Sequence, residues 1–532
     1  MKQIHAVVIL AAAIVSASSQ TPPHSTIDVQ ASTVEGRFKP IYNWFGNDEP
    51  NYTYGQFGPK LLGELSSLAP VPVYIRTHNL LTSGDGTPAL KWGSTNVYTE
   101  DSNGKPVYDF TILDRILDTY RDTGTRPMFE IGFMPEALST KPQPYQHTWP
   151  KGGITAGWSY PPKDYDKWEE LVFMIVRHSI ERYGKSNVET WPWEVWNEPD
   201  IGYWKGTPEE YFLLYDRAVH GVRRALPSAK VGGPATTGPA SAKAAAFLRA
   251  FLDHCAASNA PLDFISFHAK GRPSIVDGHV HMGLDKELDD VQRGLEIVGS
   301  FERFRNLPII LSEADPEGCA ACSARAHPEN AYRNGPLYAS YTAAALKGIL
   351  DFADRYHSNI EGMLTWAFEF EGQPYFEGFR DLATNGIDKP VLNVFRMFGL
   401  MRGDRVRATA SGDPRVGAMA ARSGDSIAVM IWNYDPDDVA GPAAGIDLNV
   451  SGVRDRVLMR HYRIDDRHSN AYAVWKELGS PQEISASERA RLESAAQLQL
   501  ITSPAWHSQS GGALHLHFDL PRNGVSLIEL HL

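Results

Sequence analysis

The sequence predicts an α/β protein, a (β/α)₈ TIM barrel followed by a β-sandwich accessory domain. The first observation is that eight apolar, strand-like segments alternate with amphipathic helices between about residues 38 and 400. The second is a change after about Arg402, where short strands are separated by Gly, Pro, Asp and Asn. The alternative for the first part, a doubly wound open sheet, would require a phosphate-binding glycine fingerprint that the sequence does not contain.

The predicted barrel domain spans residues 36–400. Its strands are predicted at 40–45, 71–80, 126–134, 190–197, 230–234, 263–269, 308–313 and 362–370. Helices are predicted between these strands, among them 111–123, 164–183, 208–226, 241–256 and 338–356. The helix at 208–226 has the clearest start, because Thr207 is a favourable N-cap, Pro208 suits the first turn and Glu210 can complete a capping box.

Residues 401–532 are predicted to form the β-sandwich. Short strands are predicted at 406–409, 416–421, 426–434, 445–450, 456–464, 513–520 and 525–532. Several of them alternate apolar and polar side chains with the period of two that half-buried strands show. A polar, helix-prone insertion at 471–500 interrupts this pattern. The segment at about 24–35 precedes the barrel and is predicted to add one strand to the sandwich.

Residues 1–19 have the features of a signal peptide. Lys2 supplies a positive charge, residues 6–15 form an unbroken apolar run, and small residues follow at 15–17. The run is too short to span a bilayer, and the polar residues directly after it argue against a buried helix. We therefore expect export to the periplasm or out of the cell. No later segment is apolar enough to predict a membrane span.

Net charge and cysteine content limit which partners and cofactors we expect for this protein. The 532 residues carry a formal net charge of −12 without a basic stripe, so we expect neither nucleic acid nor a membrane as a partner. Cys319 and Cys322 could close a small loop disulfide, with Cys255 buried and free. This interpretation is preferred to a redox or zinc role. We expect no metal ion and no organic cofactor, and the sequence does not indicate an oligomeric state.

Two glutamates occupy the ends of predicted strands four and seven. Glu198 follows an aromatic strand in the run Trp-Asn-Glu-Pro, and Glu313 ends an apolar strand in the run Ser-Glu-Ala-Asp-Pro. Strand ends of this kind form the active face of a (β/α)₈ barrel, and strands four and seven lie across its mouth from each other. In glycoside hydrolysis one carboxyl group protonates the leaving oxygen and another attacks the anomeric carbon. The sequence therefore predicts a glycosidase.

The run Trp-Asn-Glu-Pro at 196–199 resembles the acid/base motif of the large clan of retaining (β/α)₈ glycoside hydrolases. Within that clan the chain is similar to glycoside hydrolase family 39, which contains β-xylosidases and α-L-iduronidases. The matching segments are Arg-Thr-His at 76–78, Ile-Gly-Phe-Met-Pro at 131–135, Phe-His at 267–268 and Ile-Asp-Lys-Pro-Val at 387–391. The resemblance covers about residues 36–400 and includes the order of barrel, then sandwich.

The resemblance implies that Glu198 is the general acid/base and Glu313 the nucleophile. The other residues that it places around the terminal sugar are Asn197, His78, His268, Phe133, Trp366 and Glu371. Asn197 would hydrogen-bond the sugar 2-hydroxyl, the two histidines would bind ring hydroxyls, and the two aromatic residues would form the walls. Purely structural roles are the alternative for the histidines and for Trp366. Glu371 is chosen over Glu369 and Glu377, which lie in the same part of the sequence.

Strand six leaves the identity of the sugar open. The run His268-Ala-Lys270-Gly has no tyrosine two residues after the histidine, unlike many β-xylosidases, and resembles the iduronidase branch better. Lys270 could bind the carboxylate of a uronic acid, or it could pair with a neighbouring carboxylate and leave the pocket neutral.

Export favours plant hemicellulose as the substrate over glycosaminoglycan. We therefore expect first a retaining exo-acting β-1,4-xylosidase that acts on xylo-oligosaccharides, and second an α-L-iduronidase-like uronidase. The third interpretation is a sugar-binding barrel that has lost catalysis, or a scaffold that docks on polysaccharide through its sandwich. The presence of both glutamates argues against it.

Overall fold

The computed structural model describes residues 23–91 and 95–532. A parallel sheet forms the barrel, and we number its strands 1 to 8 in chain order. They are Trp44–Asn47, Tyr74–Thr77, Arg126–Ile131, Pro192–Val195, Lys230–Thr236, Phe264–Lys270, Ile309–Asp315 and a two-part strand eight, Ile360–Met363 with Thr365–Trp366. The first part of strand eight pairs with strand seven and the second part with strand one, so the sheet returns on itself.

One helix follows each barrel strand in the part of the chain that the structure describes. These helices are Gly58–Ser66, Thr111–Thr123, Tyr165–Tyr183, Pro208–Ala225, Ala242–Ser258, Leu284–Gly299, Pro336–Tyr356 and Pro390–Leu400, with a short helix at Lys185–Val188. The predicted capping box at Thr207 is confirmed: its hydroxyl accepts from the N–H of Glu210, and its own N–H donates to the Glu210 carboxylate. The α/β barrel is therefore the fold of the first domain.

Strand eight differs from its prediction because it must pair with both strand seven and strand one. The segment 362–370 was expected to be continuous, but regular pairing ends at Trp366. Leu364 still bonds to strand seven, whereas Thr365 and Trp366 have turned towards strand one. Gly46 of strand one permits this close approach, because a Cβ there would lie 2.3 Å from the Trp366 ring. Strand one is also shifted, since part of the predicted segment 40–45 is a 3₁₀ turn, Ile41–Asn43.

A ten-stranded mixed sheet forms the second domain. Its strands are His24–Arg37, Asp404–Gly412, Val416–Ser423, Ser426–Asn433, Ala444–Ser451, Arg456–Ile464, Gln499–Leu500, Ala505–Ser508, Ala513–Leu520 and Val525–His531. The strand Ala444–Ser451 alternates buried and half-buried residues along its whole length, as a strand with one face in a core should. The strand His24–Arg37 lies between Asp404–Gly412, to which it is antiparallel, and Ala444–Ser451, to which it is parallel.

The insertion at 471–500 contains two helices, Ala471–Glu477 and Ala486–Ala496, that pack against a loop of the barrel. Phe376 of that loop contacts the rings of Tyr472 and Trp475, at centroid distances of 5.3 and 5.1 Å. Gln482 accepts from the N–H of Tyr375 at 2.8 Å. The sandwich domain thus supports a loop that follows strand eight.

Shorter elements complete the described residues. Two-stranded hairpins pair Tyr98–Glu100 with Pro106–Tyr108, Ser274–Val276 with His279–His281, and Ala383–Thr384 with Ile387–Asp388. The 3₁₀ turns beyond Ile41–Asn43 are Pro50–Tyr54, Glu136–Leu138, Gly157–Ser159 and Pro328–Asn334.

Cys319 and Cys322 form a disulfide in the loop after strand seven, and Cys255 is buried and free. Within residues 23–91 and 95–532, no helix combines the length and the apolar character that crossing a membrane would require. The predicted signal peptide lies outside the described residues.

Candidate active site

Glu198 follows barrel strand four in a turn with an uncommon backbone conformation. The N–H of Trp196 still donates to Ile131 of strand three, at 3.1 Å. Trp196 and Glu198 then have φ angles of 71° and 46°, in the left-handed region that costs a non-glycine residue about 1–3 kcal/mol. The N–H of Glu198 donates to the carbonyl of Ala235 at 2.8 Å, which fixes the turn against strand five. This turn carries the Glu198 side chain into the barrel mouth.

Glu313 lies in strand seven and is 4% exposed. A carboxylate oxygen of Glu313, a carboxylate oxygen of Glu198 and a ring nitrogen of His268 all lie within 4.8 Å of one another. We call Glu198, His268 and Glu313 the catalytic cluster. Its position agrees with the active face that the sequence predicts for the barrel.

Two cations contact the Glu313 carboxylate. Lys270 Nζ lies 2.7 Å from Oε2, and Arg76 Nη1 lies 3.3 Å from Oε1. Both cations are buried, so solvent screens these interactions little. Lys270 and Arg76 thus supply fixed positive charge to the Glu313 carboxylate.

The two glutamates have opposite pKa shifts. Burial raises the pKa of Glu198 to about 7, and the neighbouring Glu313 carboxylate contributes to the rise. Burial also opposes ionisation of Glu313, but the cations Lys270 and Arg76 beside it outweigh burial and hold the pKa of Glu313 well below its usual range. In weakly acidic solution Glu198 is therefore protonated while Glu313 is a carboxylate, which is the division of roles that a proton donor and a nucleophile need.

His268 connects the two carboxyl groups. Its Nδ1 lies 3.0 Å from Oε1 of Glu198 and 3.6 Å from Oε2 of Glu313. Burial lowers the pKa of His268 to about 3, so the imidazole is neutral. Lys270 and Arg76 therefore provide the permanent positive charge beside Glu313, and His268 is hydrogen-bonded to Glu198.

Arg76 and Asn197 form a buried pair beneath the catalytic cluster. Arg76 Nη2 donates to Oδ1 of Asn197 at 2.9 Å, and the same guanidinium contacts Glu194 and Glu130 at 2.5 and 2.9 Å. Because Oδ1 accepts this hydrogen bond, the orientation of the Asn197 amide is fixed, and Nδ2 is its donor group. Nδ2 is buried and has no hydrogen-bond partner among residues 23–91 and 95–532. An unused buried donor next to Glu198 is suited to a substrate hydroxyl.

The predicted ring-binding residues lie together beside the cluster. His78 contacts the ring of Phe133 at 5.1 Å and is nearly parallel to the ring of Trp366 at 6.1 Å. His78 Nδ1 lies 2.5 Å from Oδ1 of Asp48, which orients the imidazole. All three rings are at most 2% exposed, so they form a rigid wall.

Glu371 has a different environment from the other predicted residues. Its carboxylate accepts from the backbone N–H groups of Gln56, Phe57 and Gly58, at 2.8, 2.6 and 3.2 Å. These groups begin the helix Gly58–Ser66, where a negative charge is favourable. The contacts of Glu371 are those of a helix cap, and they hold its carboxylate against the start of that helix.

Comparison with known proteins identifies the family. The model of Glycosyl hydrolases family 39 matches residues 73–512. The chain belongs to glycoside hydrolase family 39.

Relatives of this family 39 hydrolase include β-xylosidases and α-L-iduronidases. A β-xylosidase of Geobacillus stearothermophilus is 31% identical over 471 residues, 86% of each chain. An α-L-iduronidase of Mus musculus is 24% identical over 475 residues, which cover 80% of this chain and 68% of the relative. The crystal structure of a monomeric β-xylosidase from Caulobacter crescentus CB15 superimposes with a TM-score of 0.77 at 24% identity, covering 95% of this chain and 99% of that one.

The site of this family 39 hydrolase also contains charged residues that the sequence analysis did not single out. Asp315 contacts Lys270 at 3.5 Å and Arg380 at 2.9 Å. Lys91, from the loop after strand two, contacts Asp48 at 3.4 Å. Asp315 could have been found, because it lies two residues after Glu313 at the same strand end. Lys91 and Arg380 lie in long loops, and no periodicity of the sequence predicts where such residues fold.

Proposed function

We propose that this family 39 hydrolase is a retaining exo-β-1,4-xylosidase that releases xylose from the non-reducing ends of xylo-oligosaccharides. The observation that carries the proposal is the separation of at most 4.8 Å between oxygens of Glu198 and Glu313. Retaining glycosidases have carboxyl groups about 5–5.5 Å apart, whereas inverting enzymes need about 6.5–9.5 Å to hold a water molecule.

In the first step the Glu313 carboxylate attacks the anomeric carbon and forms a glycosyl ester as the glycosidic C–O bond breaks. Glu198 gives its proton to the departing oxygen at the same time. In the second step Glu198, now a carboxylate, takes a proton from water while the water oxygen displaces Glu313. Xylose leaves with its original anomeric configuration, and Glu198 is again protonated. The pKa of about 7 allows Glu198 to serve in both steps.

The sugar hydroxyls would be held by the buried polar groups around the cluster. Asn197 Nδ2 would donate to the 2-hydroxyl, a bond that becomes stronger as positive charge develops at the anomeric carbon. His78 and His268 would bind ring hydroxyls, and Phe133 and Trp366 would contact the apolar faces of the ring. The intact glutamate pair and this unused donor argue against a barrel that has lost catalysis.

The pairing of Lys270 supports xylose as the sugar. Lys270 is engaged by Glu313 at 2.7 Å and by Asp315 at 3.5 Å, and Arg380 is engaged by Asp315 at 2.9 Å. Xylose has no substituent on C5, so a pocket whose cations are already neutralised suits it. The β-xylosidase of Geobacillus stearothermophilus, the most similar of the relatives reported above, agrees with this choice.

A uronidase is the second candidate. Lys270 and Arg380 bring two buried cations to one wall of the site, and both could turn from Asp315 to the carboxylate of a uronic acid. The α-L-iduronidase of Mus musculus is a relative over 80% of this chain.

Hydrolysis of aryl β-D-xyloside, aryl α-L-arabinoside and aryl α-L-iduronide, measured side by side, tests the proposal. We expect release from the xyloside, with NMR showing β-xylose as the first product. Release from the iduronide alone would make Lys270 a specificity residue and replace the proposal, and α-xylose as the first product would contradict retention. The variant Glu313→Gln is the control for a contaminating glycosidase.

We also propose that the enzyme is exported, to the periplasm or out of the cell, where plant xylan fragments would reach it. This rests on the charge, apolar run and small residues of the first 19 positions. N-terminal sequencing of the protein secreted by a bacterial host tests it. A mature chain that begins after about residue 19 is expected, and an uncleaved chain in the cytoplasm would contradict it.

A further inference from the structure

Three potential metal ligands lie close together on the sandwich domain. His24, Asp447 and His517 belong to adjacent strands of the mixed sheet, His24–Arg37, Ala444–Ser451 and Ala513–Leu520. Asp447 is directly opposite His517 in the antiparallel pairing, and His24 is opposite Gly445 in the parallel pairing. We call His24, Asp447 and His517 the sandwich cluster. All three side chains reach solvent, so a dissolved ion can approach them.

The donor atoms of the sandwich cluster lie close to the spacing that a metal site requires. His24 Nε2 lies 3.0 Å from Asp447 Oδ2, and His517 Nδ1 lies 2.8 Å from Asp447 Oδ1. One donor atom from each residue lies within 4.8 Å of the others. Donors about 2.0–2.2 Å from a tetrahedral Zn²⁺ are about 3.3 Å apart. Small side-chain movements would therefore bring all three onto one ion.

Gly445 makes room for the two imidazole rings. The rings are close to parallel, with an interplanar angle of 20° and centroids 6.5 Å apart. A Cβ at Gly445 would lie 3.1 Å from His24 and 4.0 Å from His517. Both rings thus lie over the bare backbone of the middle strand, and Asp447 projects between them from two residues further along.

We propose that the sandwich cluster binds one divalent transition-metal ion, with Zn²⁺ as the best fit. Two imidazole nitrogens and one carboxylate oxygen form a ligand set that zinc favours, and water would complete the tetrahedron. Ca²⁺ and Mg²⁺ prefer oxygen ligands alone and fit poorly. The bound ion would join three strands, among them the one formed by the N-terminal part of the described chain, and would stabilise the folded sandwich by mass action.

Titration of the metal-free protein with Zn²⁺ in a calorimeter, and with Co²⁺ followed by visible absorption, tests the proposal. We expect one equivalent to bind and the tetrahedral Co²⁺ spectrum to appear. His24→Ala and His517→Ala should each weaken binding by about tenfold or more, which is a loss of about 1.4 kcal/mol or more. His515→Ala is the matched control, because His515 lies on the same strand but bonds to Asn449.

The catalytic cluster is the competing location among the described residues, since its donor atoms are equally close. Zn²⁺ bound there would inhibit hydrolysis, and Glu313→Gln would remove the binding. Zn²⁺ bound at the sandwich cluster should leave hydrolysis unchanged and survive Glu313→Gln. The proposal is overturned if the double variant H24A/H517A binds Zn²⁺ as tightly as the unmodified protein, or if no saturable binding occurs.

Discussion

The catalytic cluster contains two carboxyl groups and one imidazole, and the sandwich cluster contains one carboxyl group and two imidazoles at similar spacing. His268 and Glu313 are buried, whereas all three residues of the sandwich cluster reach solvent. In the catalytic cluster, burial raises the pKa of Glu198 to about 7 and lowers that of His268 to about 3. In the sandwich cluster, Asp447 is 45% exposed, and its hydrogen bond with His517 lowers its pKa. The comparison indicates that desolvation by the barrel, together with the neighbouring Glu313 carboxylate, raises the pKa of Glu198.

Burial also determines what surrounds each cluster. The buried Glu313 carboxylate needs fixed cations, and Arg76 and Lys270 supply them at 3.3 and 2.7 Å. The sandwich cluster needs no such partners because water can solvate its charges. We therefore expect substitutions at the barrel mouth to change chemistry by orders of magnitude and matched substitutions on the sandwich to have small effects.

Glu313→Gln should have the largest effect. Loss of the nucleophile removes the covalent step, and kcat/KM on an aryl β-D-xyloside should fall by about 10⁴-fold or more. The matched substitution at the sandwich cluster, Asp447→Asn, should leave kcat/KM unchanged. Activity of Glu313→Gln near that of the unmodified enzyme would remove Glu313 from the mechanism.

Glu198→Ala should impair substrates according to their leaving groups. Xylobiose needs a proton on its departing oxygen, so its hydrolysis should fall by about 10²–10⁴-fold, whereas an activated aryl xyloside should lose much less in glycosylation. Azide should rescue the aryl substrate by attacking the glycosyl ester in place of activated water. Equal losses on both substrates, without azide rescue, would mean that Glu198 is not the acid/base.

Lys270→Met tests whether a fixed cation keeps Glu313 ionised. Without the ammonium, protonated Glu313 becomes relatively more stable, so its pKa rises. The acidic limb of the profile of kcat/KM against pH should then move to higher pH by about one unit or more. Lys270→Arg should keep the limb nearer its original position, and the exposed Lys243→Met is the control. An unmoved acidic limb in Lys270→Met would show that Lys270 does not set the charge of Glu313.

The sequence predicts the barrel and its two glutamates, but it does not predict the sandwich cluster. The alternation of strands and helices predicts the barrel, because the spacing of apolar residues in each segment reflects which face of that element is buried. The two glutamates could be found since each ends an apolar strand, and strand ends converge on one face. His24, Asp447 and His517 are far apart in the sequence, and only strand order and register bring them together.

The chemical environment of the site was the least predictable part. The sequence offered two partners for Lys270, a uronate or a neighbouring carboxylate, and the choice depends on distances of a few ångströms. Glu371 was chosen from a segment where strand eight loses its regular pairing, so periodicity could not indicate where the side chain points. Its three backbone partners are about 315 residues away in sequence, a contact that no local pattern records.

Glu198→Gln should stabilise the protein, and more so at higher pH. The pKa of Glu198 is about 7 in the folded state and about 4.3 in an unfolded chain. Between these pH values the unfolded chain releases its proton while the folded chain keeps it, so stability falls as pH rises. The cost approaches about 4 kcal/mol above pH 7. A glutamine does not ionise, so the increase in Tm should be larger at pH 8 than at pH 4.5.

The exposed Glu209→Gln is the control for that stability measurement, since its carboxyl group lies in the first turn of Pro208–Ala225 and reaches solvent. It should show no comparable gain at either pH. If the Tm difference between Glu198→Gln and the unmodified protein were equal at both pH values, burial would not raise the pKa of Glu198.

Asp447→Asn should have the smallest effect, and it measures how much the exposed sandwich cluster contributes to stability. Exposed ion pairs contribute little to stability, so in metal-free solution Tm should change by less than about 2 °C. With excess Zn²⁺ the unmodified protein should gain stability while Asp447→Asn should not, because the variant lacks the carboxylate that the ion needs. A large loss of Tm in Asp447→Asn without metal would mean that the sandwich cluster stabilises the sheet through its own hydrogen bonds. It would contradict the expectation that substitutions in the exposed cluster have only small effects.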